Sequence, residues 1–124
     1  MSNATCVDDF HFKIYDSKNY NCSHFTRDLW LFLKGQDICD MVYAWNSNDL
    51  PNAMASRKGL NRLEKPVDPC IALFARKGDP PHIGVFIEGM IFHMTENGPE
   101  LQDLSFVMAN FDSVKYYLCN TKQD

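Results

Sequence analysis

From residue 70 to residue 119 the chain consists of short apolar runs cut by turn residues, a pattern that restricts it to a meandering antiparallel sheet. Ile71-Ala72-Leu73-Phe74-Ala75 is one run, closed by Lys77-Gly78-Asp79-Pro80-Pro81. His82-Ile83-Gly84-Val85-Phe86-Ile87 is the next, and Glu88-Gly89 turns it into the return strand Met90-Ile91-Phe92-His93-Met94. A two-residue loop ending in glycine suits such a hairpin, because backbone with positive φ matches the twist of the flanking strands. Asn97-Gly98 is a further turn signal, and residues 114–119 read as a closing strand. Residues 101–107 fit a strand or a helix equally well.

The first half has the other period. Cys22, Phe25, Leu29, Trp30 and Leu33 recur at the spacing of one helix face, and Gly35 supplies the stop. Asp37 is positioned to cap a second helix with Ile38, Met41, Val42 and Trp45 inward. A third helix is expected over about 51–63, with Pro51 near its first turn and Leu60 and Leu63 inward, and Arg57, Lys58, Arg62 and Lys65 form a small basic cluster on it that reads as a solvated face or a contact for an acidic glycan or peptide. Pro66 and Pro69 end the helical half. Helices followed by an antiparallel sheet define an α+β fold, and 124 residues make one domain, 1–124.

Composition narrows the function. The formal net charge of −4 disfavours a nucleic-acid partner, which needs a basic face. No apolar run approaches the roughly 18 residues of a membrane span, so no membrane insertion is expected. The first residues lack a charged-then-apolar leader, so synthesis in the cytoplasm without a signal peptide is expected. The five cysteines contain no C-x-x-C, and with the four histidines they show no metal-ligand spacing. Neither a metal nor another cofactor is expected.

One cysteine stands apart. Cys22 lies where the polar loop Asp16-Ser17-Lys18-Asn19-Tyr20-Asn21 meets the start of a helix. Unpaired N–H groups and the partial positive charge at that end are expected to lower its pKa, making it substantially thiolate below neutral pH. The same N–H groups can hold an oxyanion. Cys70 and Cys119 lie in apolar strands, Cys39 inside a helix, and Cys6 near the terminus. His82 opens a strand after Pro80-Pro81, and the Glu88-Gly89 turn brings His93 across from it. A nucleophile, a base and a group orienting that base can therefore be assembled from Cys22, His82 and His93.

These residues resemble a known family. Tyr20-Asn21-Cys22-Ser23-His24-Phe25 is similar to the nucleophile motif of NlpC-like cell-wall peptidases, usually Asp-Cys-Ser-Gly-Phe before a helix. The segment from His82 through Gly84 to His93 resembles their His-x-Gly-Ile-Tyr strand and closing Ile-His. The likeness spans roughly residues 12 to 119, and its more specific half is the histidine block. Asn21 stands where the family has Asp, and His24 where it has Gly. The upstream Tyr-x-Trp-Gly-Gly is absent, with Tyr15 a loose stand-in. Related acyltransferases also carry Asn-Cys-x-His-Phe, but their histidine precedes the cysteine, whereas His82 follows Cys22.

The resemblance implies a papain-like α+β core with the nucleophile helix packed on an antiparallel sheet. Cys22 is then the nucleophile, His82 the base and His93 the third polar residue, with Tyr15, Tyr20, Asn21, Ser23 and His24 contacting substrate. It also implies hydrolysis of amide bonds in peptidoglycan stem peptides, often next to diaminopimelate. A subgroup of the family occurs as phage tail proteins without signal peptides, and the Tyr-Asn-Cys-x-His-Phe form is closer to it. Expected partners are therefore the peptidoglycan peptide and phage tail proteins, with the protein carried in the virion or delivered to the periplasm. Two rival readings follow: a structural or tail-assembly virion protein that retains the fold, and a cell-wall amidase toxin delivered by a secretion system.

Overall fold

The computed structural model describes residues 6–38 and 60–119. A 3-10 turn at Val7–Phe12 leads to helix α1, Cys22–Lys34. Strands β1 (Leu60–Leu63), β2 (Cys70–Ala75), β3 (His82–Ile87), β4 (Met90–Thr95) and β5 (Gly98–Asp103) follow. A short helix α2, Leu104–Met108, precedes strand β6, Ser113–Cys119. All six strands form one sheet in the order β1-β6-β2-β3-β4-β5, with every neighbouring pair antiparallel. The α+β architecture with helices packed on an antiparallel sheet is thus present.

Period-2 alternation divides the sheet into two faces. Ile71 and Leu73 of β2, Ile83 and Val85 of β3, and Phe92 and Met94 of β4 point at α1. There they meet Phe25, Leu29 and Trp30, all fully buried, together with Phe10 and Ile38. Cys70, Ala72, Phe74, Ile91 and Tyr116 lie on the opposite face, in a smaller cluster with Val107 from α2. Phe111, just after α2, packs against this second cluster and is partly buried.

Local chemistry sets the ends of these elements. Asn21 is the N-cap of α1, and its Oδ1 accepts from the Ser23 backbone at 3.0 Å. In return, the Asn21 N–H donates to His24 Nδ1 at 3.1 Å, so a histidine fills the N3 place of a capping box. Gly35, at φ 68°, ends the helix with its N–H on the Leu31 carbonyl. The β3–β4 hairpin closes at Ile87–Met90, and both loop residues, Glu88 and Gly89, have positive φ, as the tightest hairpin turn requires.

One expectation is overturned. Leu60–Leu63, assigned to the end of a third helix, is strand β1, paired with β6 from Leu60–Cys119 to Leu63–Tyr116. Four residues without a strong period take the conformation that an open sheet edge offers them. Arg62 therefore belongs to a sheet edge, not to a helix. The remainder of that helix, and all of the second expected helix beyond Ile38, lie outside the described residues. Residues 101–107, which fitted either type, divide into the end of β5 and the start of α2.

Candidate functional site

The loop before Cys22 is tied at its base. Asp16 and Tyr20 exchange backbone hydrogen bonds of 3.0 and 2.8 Å. The Asp16 carboxylate accepts from the backbone N–H of Asn19 and Lys18, which hold its pKa below the usual carboxylate value. Asn21 Nδ2 donates to the Ser17 carbonyl, so the residue that caps α1 also fixes the loop above it. Cys22 is thereby placed at the first turn of a helix whose Phe25, Leu29 and Trp30 are locked into the core.

On the sheet side, β3 and β4 part at the site. Their ladder pairs Val85 with Phe92, Phe86 with Ile91 and Ile87 with Met90, and runs no further toward His82. Beyond it α1 takes over. The Thr26 hydroxyl donates to the Ile83 carbonyl at 3.4 Å, and the Ile83 N–H is the backbone group that most favours the charged form of the Cys22 sulfur. The helix carrying the cysteine is thus stitched to the strand carrying His82, one residue from that histidine.

His82 and His93 lie on the face opposite α1. The His82 ring stacks on Phe111, 5.7 Å between centroids at 7°, and meets Phe74 on its flank. Its Nε2 is 2.7 Å from His93 Nδ1, and His93 Nε2 is 2.7 Å from Gln102 Oε1 on β5. Gly84 makes this possible: a Cβ there would lie 2.9 Å from the His93 Cβ and 3.2 Å from the Phe92 carbonyl oxygen. A residue without a side chain lets the His93 Cβ approach the β3 backbone this closely.

Burial controls the charge states. It pushes the Cys22 thiol up to about 11, although the N–H groups of Ile83, Cys22 and Ser23 pull the other way. Burial also lowers His82 to about 3, and the neighbouring His93 adds to the effect. His93 is lowered by burial too, partly offset by its bond to Gln102 and by the charge of Glu100. The expected thiolate below neutral pH is therefore overturned. Cys22 is 6% exposed, and the cost of burying the charge exceeds what the helix start returns. The resting pair is a neutral thiol and a neutral imidazole.

A cavity of about 690 Å³ joins these groups. Cys22, His82, His93 and Gln102 all line it, as do Tyr15 and Asn21. Three other residues expected to contact substrate lie outside that lining. The Tyr20 hydroxyl donates to Asp28 at 2.6 Å, the Ser23 hydroxyl donates to Asn21 at 2.7 Å, and His24 closes the capping box. Their partners are within α1 and its cap. Gln102 escaped the sequence reading because residues 101–107 had no assigned period, so the face it occupies was unknown. The structure pairs it with Ile91, which puts it diagonally beside His93 on the same face.

Among the described residues, no group of three or more His, Cys, Asp or Glu side chains is arranged to hold a metal ion. No described helix is long and apolar enough to cross a membrane. The fold and site together define an α+β domain in which a cysteine at a helix start shares one cavity with two histidines and a glutamine joined by hydrogen bonds. Comparison with known protein families, curated proteins and solved structures yields no match.

Proposed function

We propose that this chain is a cysteine hydrolase of the papain-like, NlpC-like type, cleaving amide bonds of peptidoglycan stem peptides in the setting of a phage tail. The observation that carries the reading is the shared cavity of Cys22 with His82 and His93, in which His93 engages Nε2 of His82 and leaves Nδ1 for the thiol. The chemistry then needs no preformed ion pair. As sulfur attacks the carbonyl carbon, the thiol proton passes to His82 Nδ1. The backbone N–H of Cys22, which the Asn21 cap leaves unengaged at the start of α1, stabilises the oxyanion. Collapse expels the amine, which takes the proton from His82, and leaves a thioester on Cys22. Water attacks the thioester with His82 again accepting the proton, and the sulfur leaves as thiol.

The cell-wall substrate and the phage setting rest on the likeness of the cysteine and histidine segments. Digestion of purified peptidoglycan, with released fragments identified by mass, tests the proposal. Release by the wild type, lost in Cys22→Ser and reduced about 10²-fold or more in His82→Ala, is the expected outcome. His93→Asn or His93→Gln should keep measurable activity, since either amide can still accept one hydrogen bond from His82. Equal release by Cys22→Ser and the wild type would overturn the assignment.

One observation favours a second reading, a structural tail protein that retains the fold. Cys22 is buried and its thiol is held protonated, as in a core cysteine. Fragment release separates the two readings directly.

A further inference from the structure

We infer that Gln102 is a positioning residue that sets the tautomer of both histidines, and so decides whether His82 offers the cleft a lone pair or an N–H. The inference rests on the reading of Cys22 as nucleophile and His82 as base.

The argument follows the protons along the chain of contacts. Gln102 Oε1 can only accept, so at 2.7 Å His93 Nε2 carries a hydrogen. A neutral His93 then has a bare Nδ1. That atom, 2.7 Å from His82 Nε2, must accept, so His82 carries its hydrogen on Nε2. The Nδ1 of neutral His82 is left as a lone pair. An amide turned the other way would reverse every step. Its NH2 would donate to His93 Nε2, His93 Nδ1–H would donate to His82 Nε2, and His82 would carry its hydrogen on Nδ1. The base would then be occupied before the reaction began.

A glutamine suits this task better than a carboxylate. His93 already faces Glu100 directly across the β4–β5 ladder, and that charge raises its proton affinity. A second negative group at Gln102 would draw a proton onto the relay, whereas a neutral amide fixes direction without adding charge. When His82 takes up the thiol proton, both of its nitrogens carry hydrogen, and the Nε2–H bond to His93 persists unchanged. The relay therefore supports one added proton at His82 and needs no proton to leave His93.

The test reads the tautomers without any cell-wall substrate. In the whole protein labelled with nitrogen-15 in histidine, at about pH 7.5, both His82 and His93 should show the Nε2–H form. Gln102→Met, close in size but without the amide acceptor, should populate the Nδ1–H form of His93. The same variant should slow iodoacetamide alkylation of Cys22 about tenfold or more, because a base in the wrong tautomer cannot take the thiol proton. Gln102→Glu, which still accepts at the same place, should return the hydrogen to Nε2 of His93, while its charge draws an added proton onto the relay and keeps Cys22 alkylation slow. Exposed Cys6 serves as the internal standard, its rate unchanged in all three proteins. An Nδ1–H form on either ring of the wild type would overturn the inference. So would unchanged tautomers in Gln102→Met, or equal alkylation of Cys22 in Gln102→Met and the wild type. Tautomers that follow Gln102 in a protein that releases no peptidoglycan fragment would leave the inference standing and remove the cell-wall reading alone.

Discussion

The two faces of the sheet are made from alternating residues of the same strands, yet they are built for different ends. Under the thirteen-residue helix α1 the face is almost wholly apolar, with Ile83, Val85, Phe92 and Met94 sealed against Phe25, Leu29 and Trp30. The other face is covered by the five-residue helix α2 and Phe111, and its apolar cluster is interrupted by His82, His93 and Gln102. Stability resides mainly on the first face, where large side chains leave water completely. The proposed chemistry belongs to the second, where the thin cover leaves a cavity and three of the four ring nitrogens of His82 and His93 have a hydrogen-bond partner. Polar groups in such a place cost free energy unless every one is satisfied, which ties the relay together as a unit.

The comparison can be broken most strongly in the core. Phe92→Ala removes a fully buried ring that meets Phe25 edge-on at 5.2 Å, and should destabilise the protein by about 3–5 kcal/mol in urea unfolding. Phe111→Ala, on the thinly covered face, should cost clearly less because Phe111 is only partly buried. An equal or larger loss for Phe111→Ala would show that the second face carries the fold.

A smaller effect is expected at Gly84, where the faces differ by one missing methyl. Gly84→Ala forces a Cβ against His93 and should cost about 1–3 kcal/mol through overpacking. It should also displace His93 from His82, which histidine ring shifts in NMR would register. A variant of unchanged stability with unchanged ring shifts would mean that β4 can move away freely.

The smallest expected effect sharpens the contrast in charge. The folded thiol of Cys22 is raised from 9.0 to about 11, so between these values the unfolded chain has lost a proton that the folded one keeps. Stability contributed by the neutral thiol is full below about pH 9 and is lost as pH rises through about 11, at no more than about 1.4 kcal/mol per pH unit. Cys70 is raised by burial in the same direction, so the informative quantity is the difference between wild type and Cys22→Ser. The variant should lose less stability between pH 9 and 11. Parallel curves would indicate that Cys22 ionises freely in the folded protein.

How much of this was legible depends on how local the signal is. Helix α1 and strands β2, β3 and β4 follow from residue spacing because each has a strong period and an explicit turn or stop beside it. The convergence of His82 and His93 follows from the two-residue Glu88-Gly89 turn, which fixes register. Strand β1 was hidden because Leu60–Leu63 becomes a strand only by docking on β6, a partner more than fifty residues away. Gln102 was hidden in a segment whose period changes midway, from β5 to α2. The position of Cys22 was visible, but its ionisation was not. A helix start can be read from sequence, whereas the depth at which a sulfur lies depends on what the sheet packs over it.

The influence of the Ile83 amide on the Cys22 sulfur gives the protein an internal gauge. That amide lies beyond the last β3–β4 ladder pair, on the strand to which Thr26 of the cysteine's own helix is bonded. Whatever changes the sulfur, whether loss of its proton, alkylation or an acyl group, must alter the electrostatic surroundings of one backbone amide in β3. The resonance and exchange rate of a single main-chain hydrogen would therefore follow the covalent state of the cysteine from within the core, without any label placed on the sulfur itself.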